Sequence, residues 1–178
     1  MEKRYHHGDL HAALIEVGLR LLAERAVEGV SLREMAREVG VSATSVYRHF
    51  PDKAALMRAL AREGLDRLAT AQRDAASGKD GAAAFAATGR AYVRFALANP
   101  AIFRLIFTSS AQLQATGEIE ALRMLRANAA AASPNDAGSD QVETGALRSW
   151  SLVHGLAMLM LDGQLPADDH LIDTLVQG

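Results

Sequence analysis

Ser31-Leu32-Arg33-Glu34-Met35-Ala36-Arg37-Glu38-Val39-Gly40-Val41-Ser42-Ala43-Thr44-Ser45-Val46-Tyr47-Arg48-His49-Phe50 is the stretch that decides the fold. Ser31 and Glu34 have the S-x-x-E spacing of a capping box, which starts a short helix. Gly40 supplies the left-handed residue that closes it, and Ser42 is a good cap for a second short helix through His49. Met35, Ala36, Val39, Val41, Val46 and Phe50 give the pair an inward face, with Ala36 small enough for close helix approach. Ala43, Thr44, Ser45, Tyr47, Arg48 and His49 are left to face outward. Two short helices joined by a tight turn are a helix-turn-helix arrangement, whose second helix lies in the major groove of DNA. Small side chains at 43–45 let that helix come near base edges, and the hydroxyls of Thr44, Ser45 and Tyr47 can donate to phosphate oxygens. Lys53 opens the next helix, where its charge and the local amides both favour an anion. The geometry alone also suits an ordinary helical protein, in which short helix pairs with a glycine turn are common.

Outward from this motif the chain reads as helix after helix. Leu10, Ala13, Leu14, Val17, Leu21 and Leu22 recur at three- and four-residue spacing, so 9–26 is an amphipathic helix that Asp9 can cap and Val27-Glu28-Gly29 breaks. Pro51-Asp52 starts a long helix over about 52–75, and Ser77–Gly81 is a turn cluster. A helix over 82–98 stops at Asn99-Pro100, and an apolar segment follows at 101–107. Further helices are expected at 116–132, 141–162 and 167–176, with loops at 133–139 and 163–166. No run alternates with the period of a half-buried strand, so the expected fold is all-α with about nine helices. Three parts follow: a helix-turn-helix domain at 1–51, a connecting helix at 52–75, and a larger helical domain at 76–178.

Composition narrows the function. At 49% hydrophobic and 22% charged the 178 residues are those of a globular chain and not a disordered one. The absence of cysteine excludes disulfide scaffolds, thiolate metal sites and cysteine nucleophiles. No HExxH, nucleophile elbow, phosphate loop or dinucleotide fingerprint occurs, so no enzyme, catalytic residue, cofactor or metal site is expected. His6, His7 and His11 could catch a metal, but a basic N-terminal arm near DNA is the better reading. The longest apolar run, Leu152–Leu161, contains His154 and Gly155 and falls short of the roughly 20 residues of a membrane span. With no export segment legible, a cytoplasmic location is expected. A net charge of −2 announces no nucleic-acid binder. Residues 1–68 hold eleven Lys/Arg against ten Asp/Glu, so the basic groups must be sorted onto one face.

Tyr5-His6-His7-Gly8-Asp9-Leu10, Gly29-Val30-Ser31-Leu32-Arg33-Glu34-Met35-Ala36, Gly40 to Phe50 and Asp52-Lys53-Ala54-Ala55-Leu56 together resemble the DNA-binding domain of the TetR family of bacterial transcriptional regulators. The resemblance covers about 5–65 at family spacing, and its G-V-S-x-x-x-V-Y-x-H-F-x-x-K core, Gly40 to Lys53, is highly specific. It implies a regulator that binds double-stranded DNA at a palindromic operator. By position it places Arg33 and Ala43, Thr44 and Ser45 closest to bases, and Tyr47, His49 and Lys53 at phosphates. Ser31 and Ser42 at the helix starts and Arg48, which varies in the family, complete the expected DNA-binding set. Tyr47 is expected to pack its ring on the small domain with its hydroxyl facing the duplex, and His49 equally suits a helix cap.

The distal half is more acidic and more apolar. Trp150-Ser151-Leu152-Val153-His154-Gly155 and the aromatic segment 99–107 resemble the ligand-binding region of a TetR subgroup marked W-x-x-x-H-G. Trp150 and His154 share one helical face, and two readings of them stand: a structural pair, or a polar anchor in an apolar effector pocket. That pocket would be lined by Tyr92, Phe95, Phe103, Phe107, Met124, Trp150, His154 and Met158. Gly155 is expected to admit a close helix. A helix apolar nearly all round needs burial on two sides, so residues 145–162 and 167–176 are expected to form a homodimer interface as a four-helix bundle. The resulting expectation is a ligand-responsive repressor, released from DNA by a small apolar effector. The alternative is a helical small-molecule-binding or interaction protein without DNA binding.

Overall fold

The computed structural model describes residues 10–108, 126–127, 129–130 and 138–177. Among the described residues there are eight α-helices and no strand. They are α1 (Leu10–Arg25), α2 (Leu32–Val39), α3 (Ala43–His49), α4 (Lys53–Ala76), α5 (Gly81–Ala98) and α6 (Pro100–Thr108), then α7 (Ser139–Leu161) and α8 (Asp169–Leu175). The apolar segment after Asn99 is thus a helix, with Pro100 at its first position, where a missing N–H costs nothing. The Asp9 cap lies outside the described residues, as do most of the helix expected at 116–132 and the loop that follows it.

The chain divides into two compact units. The first runs through α1–α3 and the start of α4 to Gly64, and takes up α6 from Ala101. Its core is Leu14, Leu21, Leu22, Met35, Val46, Leu56, Leu60, Phe103 and Ile106, all essentially without solvent contact. Gly64 lets α6 approach α4: a Cβ there would lie 2.4 Å from Ile102 Cγ2. The second unit holds Leu65–Pro100 and the described residues from 126 onwards. There α5 packs along α7 through small and branched residues, Ala86, Ala87, Val93 and Ala96 against Ala146, Val153, Leu156 and Ala157. Arg94 ties α8 to α5, reaching Asp169 at 2.7 Å and Asp173 at 3.0 Å, while Arg90 Nη1 donates to the Val176 carbonyl at 2.7 Å.

Helix ends follow local chemistry except at two starts, that of α5, where the Asp80 side chain makes no cap bond, and that of α2. Gly40 sits at φ 76° and ψ 32°, and Val41 N–H closes back on the Ala36 carbonyl at 2.9 Å. Ser42 Oγ accepts from Ser45 N–H at 3.2 Å, and Asp52 Oδ1 accepts from Ala55 N–H at 2.6 Å. At α2 it is the capping box that does not form. Ser31 is the N-cap of α2 by backbone conformation, but its side chain makes no cap bond, and Glu34 turns away to Arg25 Nη1 at 2.7 Å. A full ionic partner outcompetes a single backbone amide for that carboxylate.

Candidate nucleic-acid interface

α2 and α3 form the two-helix unit that the turn chemistry demands. Met35, Ala36, Val46 and Phe50 are buried and hold the pair on the core, while Val39 and Val41 are half-buried. The other face of α3 is open: Ala43, Thr44, Tyr47, Arg48 and His49 are exposed and Ser45 is half-buried. Ser45 is engaged locally, its Oγ lying 2.8 Å from Ser42 Oγ, so these two hydroxyls are spent in part on the helix start. The His49 ring is the last of α3 and rests against His11 and Phe50, with centroids 5.9 Å and 6.4 Å away.

Beside α3 an open groove of about 390 Å³ has Ser31, Arg33, Tyr47, Asp52 and Lys53 in its lining. Four of the side chains expected at DNA therefore converge from three separate elements: the start of α2, the middle of α3 and the start of α4. Tyr47 is 42% exposed, a ring half seated with its polar end available. Lys53 Nζ donates to the Glu28 carbonyl at 3.1 Å, a contact that no sequence signal announced.

Ion pairing sorts the charges. Arg20 pairs with Glu24 and Glu38, and Arg25 with Glu34. Three acids are thereby neutralised, Glu24 within α1 and Glu34 and Glu38 of α2 by arginines of α1. Arg33 and Arg48 have no ion-pair partner among the described residues, and Asp52 is committed to capping α4. A region of near-zero net charge thus presents a positive face at α3, the arrangement that phosphate binding requires.

The second unit holds a different constellation. Trp150 Nε1 donates to Tyr92 Oη at 3.3 Å, and Tyr92 Oη lies 2.9 Å from His154 Nδ1. An indole N–H can only donate, so the phenol oxygen accepts from it, while the direction of the bond between Tyr92 Oη and Nδ1 is set by the imidazole tautomer. A neutral His154 that accepts from the phenol carries its proton on Nε2. Burial favours the neutral form, pushing the His154 pKa down, and it pushes the Tyr92 phenol up. Of the expected pocket residues, Tyr92, Trp150 and His154 are in mutual contact. Phe95 is buried on α5 and Met158 is half-buried on α7 in the same unit. Phe103 and Phe107 pair with each other in the first unit at 4.8 Å, and Met124 lies outside the described residues. Nothing among the described residues comes within 4 Å of a Cβ placed at Gly155. Among the described residues no cluster suits a metal ion, and no helix is long and apolar enough to cross a membrane.

Comparison with known proteins matches the helix-turn-helix region and the distal region to separate family models. Residues 14–60 match the family model of bacterial regulatory proteins, tetR family, and residues 85–177 match that of the tetracyclin repressor-like C-terminal domain. A solved protein of unknown function from Rhodococcus sp. RHA1 is 31% identical, with a TM-score of 0.80 over 98% of this chain and 97% of that one. A TetR family transcription regulator from Marinobacter aquaeolei VT8 shares the fold at 22% identity, with a TM-score of 0.66 over 95% of this chain and 92% of its own. The nucleoid occlusion factor SlmA of Haemophilus ducreyi is 31% identical over 96 residues, 52% of this chain and 47% of that protein. The alignment spans about half the length of the curated relatives it matches. With one domain model on the helix-turn-helix and the other across more than half of the chain, the protein belongs to the TetR family of bacterial regulatory proteins, which are DNA-binding regulators of transcription and not enzymes.

Proposed function

We propose that this chain works as a homodimeric repressor that places two copies of α3 in successive major grooves of a palindromic operator, about 34–36 Å apart. The observation that carries the reading is the groove where Ser31, Arg33, Tyr47 and Lys53 meet beside the exposed, small-faced start of α3. Arg33 and residues 43–45 are assigned to base edges, and Ser31, Ser42, Tyr47, Arg48, His49 and Lys53 to the backbone. Such a protein acts in the cytoplasm.

The dimer rests on one face of α7. Arg148, Leu152, Gly155 and Leu159 follow one another at helical spacing, and Leu152 and Leu159 are 47% and 40% exposed. Leu175 on α8 is exposed to the same degree. A glycine in mid-helix costs about 1 kcal/mol relative to alanine, and nothing among the described residues approaches Gly155 to repay it. A second copy of the helix does so, and covers the leucines at roughly 1 kcal/mol for each half-exposed side chain.

The effector is assigned to the second unit, around the Trp150–Tyr92–His154 chain, where a few oriented polar groups stand among apolar neighbours. Placement in the W-x-x-x-H-G subgroup rests on Trp150, His154 and Gly155 alone. Anisotropy titrations of the chain against palindromic and random duplexes across a salt series test the reading. A regulator binds with a steep negative salt dependence and prefers one palindrome. A salt-independent response, or none at all, leaves only the reading without DNA binding.

A further inference from the structure

The first unit contains an apolar cavity of about 380 Å³, away from the helix-turn-helix face, between the end of α1, the start of α4 and α6. That volume falls within the range of roughly 300–1,000 Å³ typical of small-molecule sites. Leu22, Met57 and Leu105 line it with buried apolar surface. Arg58 and Arg104, both exposed, bring two guanidinium groups to its edge, and Glu28 is the one acid among its lining residues. Arg58 sets an exposed guanidinium over an apolar interior. Pockets lined mostly by apolar side chains favour apolar occupants, and a guanidinium fork matches a carboxylate.

The wall formed by the α1–α2 turn has a second role. Ala26 lines the cavity and holds φ at 57°, a left-handed conformation that its Cβ disfavours. Two residues on, Glu28 also lines the cavity, and its carbonyl receives Lys53 Nζ at 3.1 Å. Lys53 in turn lines the groove beside α3. One short, strained turn therefore touches the cavity on one side and holds a lysine of the DNA face on the other.

We propose that this cavity is a binding site for an amphipathic monoanion, a medium-length alkyl or similar apolar body bearing one carboxylate, and that its occupancy weakens DNA binding through the Ala26–Glu28 turn. An occupant packed against the turn holds the Glu28 carbonyl where it competes with phosphate for Lys53. The site is separate from the effector cluster of the second unit and does not depend on it. By linkage, DNA lowers the affinity for the anion by the same factor that the anion lowers the affinity for DNA.

Decanoate serves as the probe, with decan-1-ol and decylammonium as uncharged and cationic controls, titrated calorimetrically into the full chain. Decanoate is expected to bind, and the alcohol about tenfold or more weaker for want of the charge-assisted contact. Arg58→Gln should cost a similar factor, and Ala54→Phe, which fills the cavity from α4, should abolish binding. Arg58→Gln changes an exposed side chain and carries the test should Ala54→Phe fail to fold. Saturating decanoate should weaken duplex binding by the wild type. Lys53→Met should bind decanoate unchanged while its remaining DNA affinity, read at low salt, no longer responds. Equal binding of the three probes, or decanoate affinity untouched by Arg58→Gln, overturns the site. A decanoate effect on DNA that survives Lys53→Met overturns the coupling. Neither the Arg58 nor the Ala54 change touches the Tyr92–His154 cluster, so their failure leaves the effector reading standing.

Discussion

The two units reach their chemistry by different routes. In the first, the groove residues Ser31 to Lys53 fall within one short stretch, and each is placed by an adjacent rule: a left-handed glycine, a serine cap, an aspartate cap. In the second, Tyr92 meets Trp150 and His154 across separations of 58 and 62 residues, and Arg90 reaches a carbonyl 86 residues away. The difference is one of how position is encoded. A site built by neighbours in sequence survives changes elsewhere in the fold, whereas one built by packing of distant helices stands or falls with that packing.

The comparison breaks most visibly if the α7 face is disabled. Leu152→Glu with Leu159→Glu sets like charges across the proposed two-fold axis. Sedimentation should then find monomer, and operator affinity should fall about 10²- to 10⁴-fold as the bivalent advantage is lost. Circular dichroism should still report the helices of both units, because these leucines are exposed in the single chain. A dimer that persists refutes the assigned face.

Arg33 and Lys53 sharpen the account of the first unit. Arg33→Ala should cost about 1–3 kcal/mol on the operator and relax base preference, while Lys53→Ala should weaken all duplexes alike and reduce the salt slope by about 1. Equal losses on operator and random DNA for both variants would mean that the groove only positions the protein. A smaller effect is expected at the turn itself. Gly40→Ala forces a Cβ into φ 76° and should lower stability by roughly 1–2 kcal/mol, read as a drop in melting temperature. Nothing crowds that position, so a larger loss would mean that the penalty is not conformational alone.

What was legible in the sequence follows the same division. The all-helical class and the α2–turn–α3 unit follow from periodicity and turn chemistry, and of the inward set Met35, Ala36, Val39, Val41, Val46 and Phe50 the structure buries all but the half-buried Val39 and Val41. The Ser31–Glu34 box misled because Arg25, nine residues before Glu34, offered a stronger partner that local spacing does not reveal. The break after α1 was read at Val27–Gly29, yet the left-handed residue is Ala26, a type that rarely signals such a turn. Lys53 on the Glu28 carbonyl and Arg94 between Asp169 and Asp173 were invisible because long side chains pair across elements without leaving a period. Tyr92, Trp150 and His154 could be nominated for one pocket, but their order, indole to phenol to imidazole, needed coordinates.

That order makes the smallest and most specific prediction. His154 accepts from Tyr92 only while Nδ1 is unprotonated, and burial holds its pKa below the ordinary histidine value of 6.5. As pH falls from 6.5 towards that lowered value, the unfolded chain takes up a proton that the folded chain resists. The stability contribution is therefore present above pH 6.5 and is lost on acidification through the folded-state pKa, below which it levels off. Melting temperature should decline across this window in the wild type. In His154→Gln, whose amide oxygen can still accept from the phenol, the decline should be shallower. The imidazole is only half-buried, so the effect should be modest and confined to these pH values. A profile that His154→Gln leaves unchanged would place the titrating group elsewhere and remove the argument for a neutral, acceptor imidazole at the centre of the second unit.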